Sequence, residues 1–168
     1  RITPSGVPID SSPIVVDRAP TTIKTNVQIA GAPAGGAKLV WQDNRLGSID
    51  IFRASLSSAG IPGTSAAISK GAPSHVQPRF ATDGTKYLNA FLSQASGKVQ
   101  VMSQLLNQSS AGSTAPVSLA SGTALTSVSV AWNGYLYLVV WSDTAANEIL
   151  GRRVSATGAP VDAAPFVI

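Results

Sequence analysis

The acidic side chains best placed for chemistry stand two residues after tryptophans: Asp43 after Trp41 and Asp143 after Trp141. A carboxylate there can hold calcium or a sugar hydroxyl at a loop rim. It can equally accept the N–H groups of its own loop and pair with an arginine. The stretch Asp43-Asn44-Arg45-Leu46-Gly47-Ser48-Ile49-Asp50 sets two acids around a glycine turn. A calcium loop concentrates more oxygen ligands than this, so the expected arrangement is a clamp between Arg45 and a carboxylate. Trp132, Tyr135 and Tyr137 cluster around Asn133-Gly134. Aromatic faces of this kind stack on sugar rings, or bury apolar area between sheets. The ligand or partner candidates are therefore Trp132, Tyr135, Asp43, Asp143 and Arg45.

Other chemistries lack their residues. The single histidine, His75, follows Ser74 directly, whereas a Ser-His-Asp triad is assembled in space, and no Gly-x-Ser-x-Gly elbow is present. His75 is expected to be a solvent-exposed histidine in a linker. Glu148 is the sole glutamate, and no phosphate loop or dinucleotide fingerprint occurs. With no cysteine, the 168 residues hold no disulfide, thiolate metal site or cysteine nucleophile. No catalytic residue, cofactor or metal is expected. Asn107-Gln108-Ser109 is a glycosylation sequon, of use only in a eukaryotic secretory setting.

Charged residues make up only 12% of the chain, and the net charge of +4 is scattered, with Arg152-Arg153 the only adjacent basic pair. A nucleic-acid surface is normally a denser basic stripe. No apolar run approaches the ~18–20 residues that span a bilayer as a helix. The polar bulk is Ser, Thr, Asn and Gln, and the chain begins with Arg1. This points to a processed chain or a piece of a longer one, and to the secreted or surface compartment of a bacterium.

The elements that must position these residues recur. Lys38-Leu39-Val40-Trp41-Gln42-Asp43, Leu88-Asn89-Ala90-Phe91-Leu92-Ser93 and Leu138-Val139-Val140-Trp141-Ser142-Asp143 align, with aromatic anchors fifty and again fifty residues apart. Gly60-Ile61-Pro62, Gly112 to Pro116 and Gly158-Ala159-Pro160 follow the third apolar run of each unit. Residues 1–10 match 153–162. Each unit reads as four short strands. In the third these are 128–132, a turn at Asn133-Gly134, then 135–141, 148–155 and 161–168. Asn-Gly between apolar runs signals a hairpin because such turns need positive φ. Asp83-Gly84 holds that place in the second unit, and the glycine-rich run 31–36 in the first. No stretch carries a useful helical period; the best candidate, 100–107, is short.

Four antiparallel strands every forty to fifty residues predict an all-β fold of β-propeller blades. The boundaries are 1–20 for the end of a preceding blade, then blades 25–73, 74–123 and 124–168. A β-sandwich is the alternative, but it requires no fifty-residue period. The motifs Val130-Ala131-Trp132-Asn133-Gly134, Tyr137 to Asp143, Arg152-Arg153, Gly158 and Asp162 resemble bacterial secreted propeller repeats of the Tyr-Leu-Val-Val-Trp-x-Asp type. Leu39-Val40-Trp41-Gln42-Asp43, Arg45, Asp50-Ile51 and Arg53 resemble them too, while the second unit departs at Phe91 and Ser93. The resemblance implies binding or assembly and no shared active site. Closed propellers have four to eight blades, so three blades and an orphan strand are expected to find a homo-oligomer or partner protein. The expected function is a non-enzymatic binding and assembly module. The alternatives are a carbohydrate-binding, lectin-like propeller and a fragment of a larger secreted enzyme.

Overall fold

Alternating and doubly apolar runs fold as twelve strands in the computed structural model, which describes residues 1–32, 35–108 and 114–168. The first sheet joins β1 (Lys24–Gly31), β2 (Ala37–Asp43), β3 (Asp50–Leu56) and β4 (Ala66–Ser69) in chain order. The second joins β5 (Ser74–Thr82), β6 (Lys86–Ala95), β7 (Lys98–Asn107) and β8 (Val117–Gly122). The third joins β9 (Leu125–Trp132), β10 (Leu136–Asp143), β11 (Glu148–Ser155) and β12 (Phe166–Val167). All pairings are antiparallel. No helix occurs among the described residues. The short helical candidate at 100–107 lies inside β7, whose Val99 and Val101 suit a pleated strand.

The turns between first and second strands form for the reason their sequences give. Gly84 and Gly134 have φ of 93° and 100°, values open to glycine and costly for other residues. The residue before each glycine closes the turn with its side chain. Asn133 Oδ1 accepts the N–H groups of Tyr135 and Leu136, both at 2.9 Å. Asp83 Oδ1 accepts those of Thr85 and Lys86 at 2.7 and 2.6 Å. Burial pushes the Asp83 carboxyl up, but these bonds outweigh it and hold the group below the usual carboxylate range. Part of the glycine-rich 31–36 turn, Ser109 of the sequon and Gly112 of the second downstream turn lie outside the described residues.

The sheets stack face to face, with β1 against β5 and β5 against β9 at their inner edges. Tyr137, Val139 and Trp141 of β10 pack with Leu88, Ala90 and Leu92 of β6 in the largest core. Phe91, on the other face of β6, packs with Val40 and Ile51 of the first sheet. Each aromatic anchor thus turns toward the preceding sheet. Trp41 turns away from the other two sheets, into a third cluster with Phe52, Ala54 and Val16.

The outermost strands are shorter than the pattern suggests. The run expected over 161–168 is a strand only at Phe166–Val167. Pro160 and Pro165 cannot donate to a ladder, and the Asp162 carboxylate is clasped by Arg153 through its backbone N–H, Nε and Nη2 at 2.7, 3.0 and 2.5 Å. Residues 1–10 make the same object. Arg1 clasps Asp10 through its amino group, Nε and Nη2. Thr3 N–H donates to Val7 O at 2.8 Å, as Ser155 N–H does to Ala159 O.

Trp141 is wholly buried in the largest core. Its replacement by alanine is expected to cost ~3–5 kcal/mol of unfolding free energy, read from urea denaturation. A loss below about 1 kcal/mol, the scale of an ordinary surface change, would mean that the second and third sheets do not pack through this ring.

Candidate interaction surfaces

The loop after β2 is held by a compact electrostatic cluster. Asp43 is completely buried and accepts Trp41 Nε1–H at 3.1 Å, Arg45 N–H at 3.0 Å and Arg45 Nη2 at 2.5 Å. Arg45 lies 4.2 Å from the centroid of the Phe52 ring and also meets Asp17 at 2.9 Å. Lys24 reaches Asp17 at 3.5 Å. Burial pushes Asp43 up, yet its bonds from Arg45 and Trp41 hold it below the usual carboxylate range. Burial likewise opposes ionisation of Asp17, but bonds from Ser65, the Ala19 N–H and Arg45 bring it down to about 2. Asp50 stands apart, accepting Ser48 Oγ–H at 3.2 Å and Gly71 N–H at 2.9 Å. Asp43 and Asp17 spend their lone pairs within the protein, while Asp50 Oδ2 is buried without a hydrogen-bond partner among the described residues.

The remaining candidates are dispersed. Asp143 accepts Ala145 and Ala146 N–H at 3.0 and 3.2 Å, as an Asx-type loop acid does. The Trp141 indole N–H has no partner among the described residues, so the tryptophan–aspartate bond of the first unit is not repeated. Trp132 packs on Tyr137 with ring centroids 4.6 Å apart, while Tyr135 at the turn tip is 84% exposed. His75 is not the exposed linker histidine expected. It lies in β5, partly buried, with its ring edge-on to Phe91 at 5.4 Å, because β5 begins at Ser74 and carries it under the first sheet. Burial lowers its pKa, against a smaller opposing pull from Asp50.

Two larger surfaces are the outer faces of the stack. On the third sheet, Leu136, Leu138 and Val140 alternate with the buried Tyr137, Val139 and Trp141 and so point outward. Phe166 and Ile168 lie over Gly151 beside them. On the first sheet, Ile14 and Val16 run over Leu39 and Trp41 and leave a groove of about 250 Å³ that Asp17, Lys24 and Val27 also line. Sequence reading missed Asp17. Only its position, just after a stretch that repeats the end of the third unit, marks it as an anchor.

The comparisons agree with this geometry. No protein-family model and no curated protein matches the chain. Among solved structures, it is similar to the β-propeller domain of the Trilobed protease from Pyrococcus furiosus, whose description is of an open velcro topology. Identity is 10% and the TM-score 0.51, over 90% of this chain and 45% of that one. The fold is that of β-propeller blades. This chain thus spans under half the length of the propeller it matches, as three four-stranded blades with residues 1–16 laid against the first.

The Asp17 anchor has a signature in pH. Its carboxyl sits at about 2 in the folded chain, against roughly 3.9 when unfolded. A depressed carboxyl stabilises the fold above the unfolded value, and that contribution is lost as pH falls through the folded one. Acid unfolding should therefore steepen between about pH 4 and pH 2. Asp17→Asn should lower stability at pH 7 and flatten that part of the curve. Parallel wild-type and variant curves would mean that Asp17 does not anchor the segment.

Proposed function

We propose that this chain is a non-enzymatic binding and assembly module, whose outer blade faces complete a propeller with a second copy or with a partner protein. The observation that carries this is the outward face of the third sheet. Leu138 and Val140 occupy the positions of Leu88 and Ala90, which on the second sheet are wholly buried under the next blade. A surface shaped to receive a blade, and apolar in the same places, favours another blade as its occupant. Ring closure needs at least four blades, and two copies of three make six. Asp43 and Arg45 hold their own loop, which favours binding through faces over chemistry at the rim. The Ser- and Thr-rich, cysteine-free composition and the likeness to bacterial secreted repeats support a secreted or surface location on the bacterial envelope.

The test is mass in solution, by light scattering on a sizing column over a range of concentrations. The 17.1 kDa chain is expected to run as a dimer or higher species, and Leu138→Lys should shift it toward monomer. A folded monomer at every concentration would overturn self-association. A dimer indifferent to Leu138→Lys would place the contact elsewhere.

A further inference from the structure

Residues 1–16 repeat the outer edge of the third sheet in structure as well as in sequence. Arg1 stands for Arg153, Gly6 for Gly158 and Asp10 for Asp162, while Ile14 and Val16 stand for Phe166 and Ile168. The bridges Ile2–Pro8 and Val154–Pro160 correspond. So do the turn bonds from Gly6 N–H to Thr3 O and from Gly158 N–H to Ser155 O, both at 2.9 Å. The surroundings of the two copies differ. At the third sheet the edge belongs to a blade: Phe166 pairs with Gly151, and Ile168 N–H donates to Ile149 O at 2.9 Å. Ile14 and Val16 pair with no strand among the described residues and lie instead on the first sheet, over Leu39 and Trp41.

The place they take is that of a preceding blade. Leu105 pairs with Leu88 in the second sheet as Arg153 pairs with Leu138 in the third, so Leu105, Arg153 and Arg1 share one position of the repeat. The third sheet sets its turn down on that position: a Cβ at Gly158 would stand 3.1 Å from Leu105 Cβ. The first sheet does the same on the segment, where a Cβ at Gly60 would stand 3.0 Å from Arg1 Cζ and 3.1 Å from Ile14 Cδ1. Arg1 Nη1 donates to Ser58 O at 2.6 Å in this contact. Its counterpart Arg153 is half-exposed and places Nε and Nη2 on Asp162, while its Nη1 meets no acceptor among the described residues. One end of the molecule displays the contact that the other end leaves unmade.

We propose that the Trp41 face of the first sheet is the seat for the third sheet of a second copy, head to tail, and that residues 1–16 are a tethered competitor for that seat. This rests on the assembly reading and names its partner and its two surfaces. In the closed pair, Arg153 of the second copy takes the place of Arg1 at Ser58, and its Phe166 and Ile168 take the places of Ile14 and Val16. The blade also brings Leu136, Leu138 and Val140, apolar area that the segment lacks. The segment's advantage is its tether, which holds it near the seat at a high effective concentration. Asp17 fixes its far end to Arg45 and Lys24. Each copy offers one seat and one face, so a ring of two closes with both segments displaced.

The experiment follows the full chain over a range of concentrations, its mass by light scattering and the Ile14 and Val16 methyl resonances by NMR. In the monomer these methyls lie against the first sheet, beside the Trp41 ring. As the dimer forms they should move to the values of an unfolded segment, a readout that needs no variant. Asp17→Asn loosens the competitor, so its dimer should persist to concentrations on the order of tenfold lower than that of the wild type. Leu39→Lys spoils the seat and Leu138→Lys spoils the face. Each alone should be monomeric, and an equimolar mixture should pair, because one sound seat then meets one sound face. A dimer in which the Ile14 and Val16 methyls stay unmoved would overturn the proposal while the assembly reading stands, as would a dimer that Leu39→Lys leaves intact. Wild-type and Asp17→Asn chains that both stay monomeric at every concentration would overturn self-association and the proposal together.

Discussion

A four-stranded sheet whose second strand is apolar on both faces cannot stand alone in water. Everything else in this molecule follows from that constraint. β6 shows it satisfied: Phe91 reaches one neighbouring sheet while Leu88, Ala90 and Leu92 reach the other. The same residues that make a blade insoluble by itself specify what it must stack on. The first and third sheets each have one neighbour among the described residues. On the first, Ile14 and Val16 shield the Trp41 side, with Asp17 pinned to Arg45 and Lys24 behind them. On the third, the face carrying Leu138 remains open.

Much of this was legible in the residues. The fifty-residue spacing of Trp41, Phe91 and Trp141 marks the units, because each anchor enters a layer of the same geometry. The Asp-Gly and Asn-Gly turns locate two of the first hairpins, because their chemistry is local. What depends on distant partners was not legible. Asp17 and Arg45 meet only when residues 11–23 fold back across the first sheet. The shortness of β12 results from Arg153 clasping Asp162, a contact that reads as an ordinary strand end. His75 was misplaced because a polar residue two positions after Pro73 resembles a linker, whereas in the fold it packs against the Phe91 ring.

Repeats also make departures informative. A lysine on an alternating strand is usually a solvated face, and Lys38 alone attracts no notice. Beside Leu88 and Leu138 it stands out. Divergence between units of one chain shows which positions are free of the packing rule: the first blade has charge at Lys38 and Arg53, and the second has an amide at Asn89. The Arg–Asp clasps show the opposite tendency. The pair at Arg1 and Asp10 and the pair at Arg153 and Asp162 agree bond for bond, while Thr64 replaces the acid in the first unit and the turn survives on backbone bonds and the Ser57 hydroxyl, which accepts the Ile61 N–H.

That duplication affects how the molecule reaches its fold. Residues 1–16 and 153–168 run in parallel, Arg for Arg, Gly for Gly, Asp for Asp, Pro for Pro, and each ends in a short apolar stretch. The groove over Trp41 accepts Ile14 and Val16 of the first stretch, and the second carries Phe166 and Ile168 at the same places. Chains refolding side by side thus carry two near-synonymous occupants for one seat. Repeat proteins are prone to this kind of mispairing. Crowding during refolding favours intermolecular occupancy of the groove, and dilution favours the connected segment, so the yield of correctly seated chains is a property of the preparation as well as of the sequence.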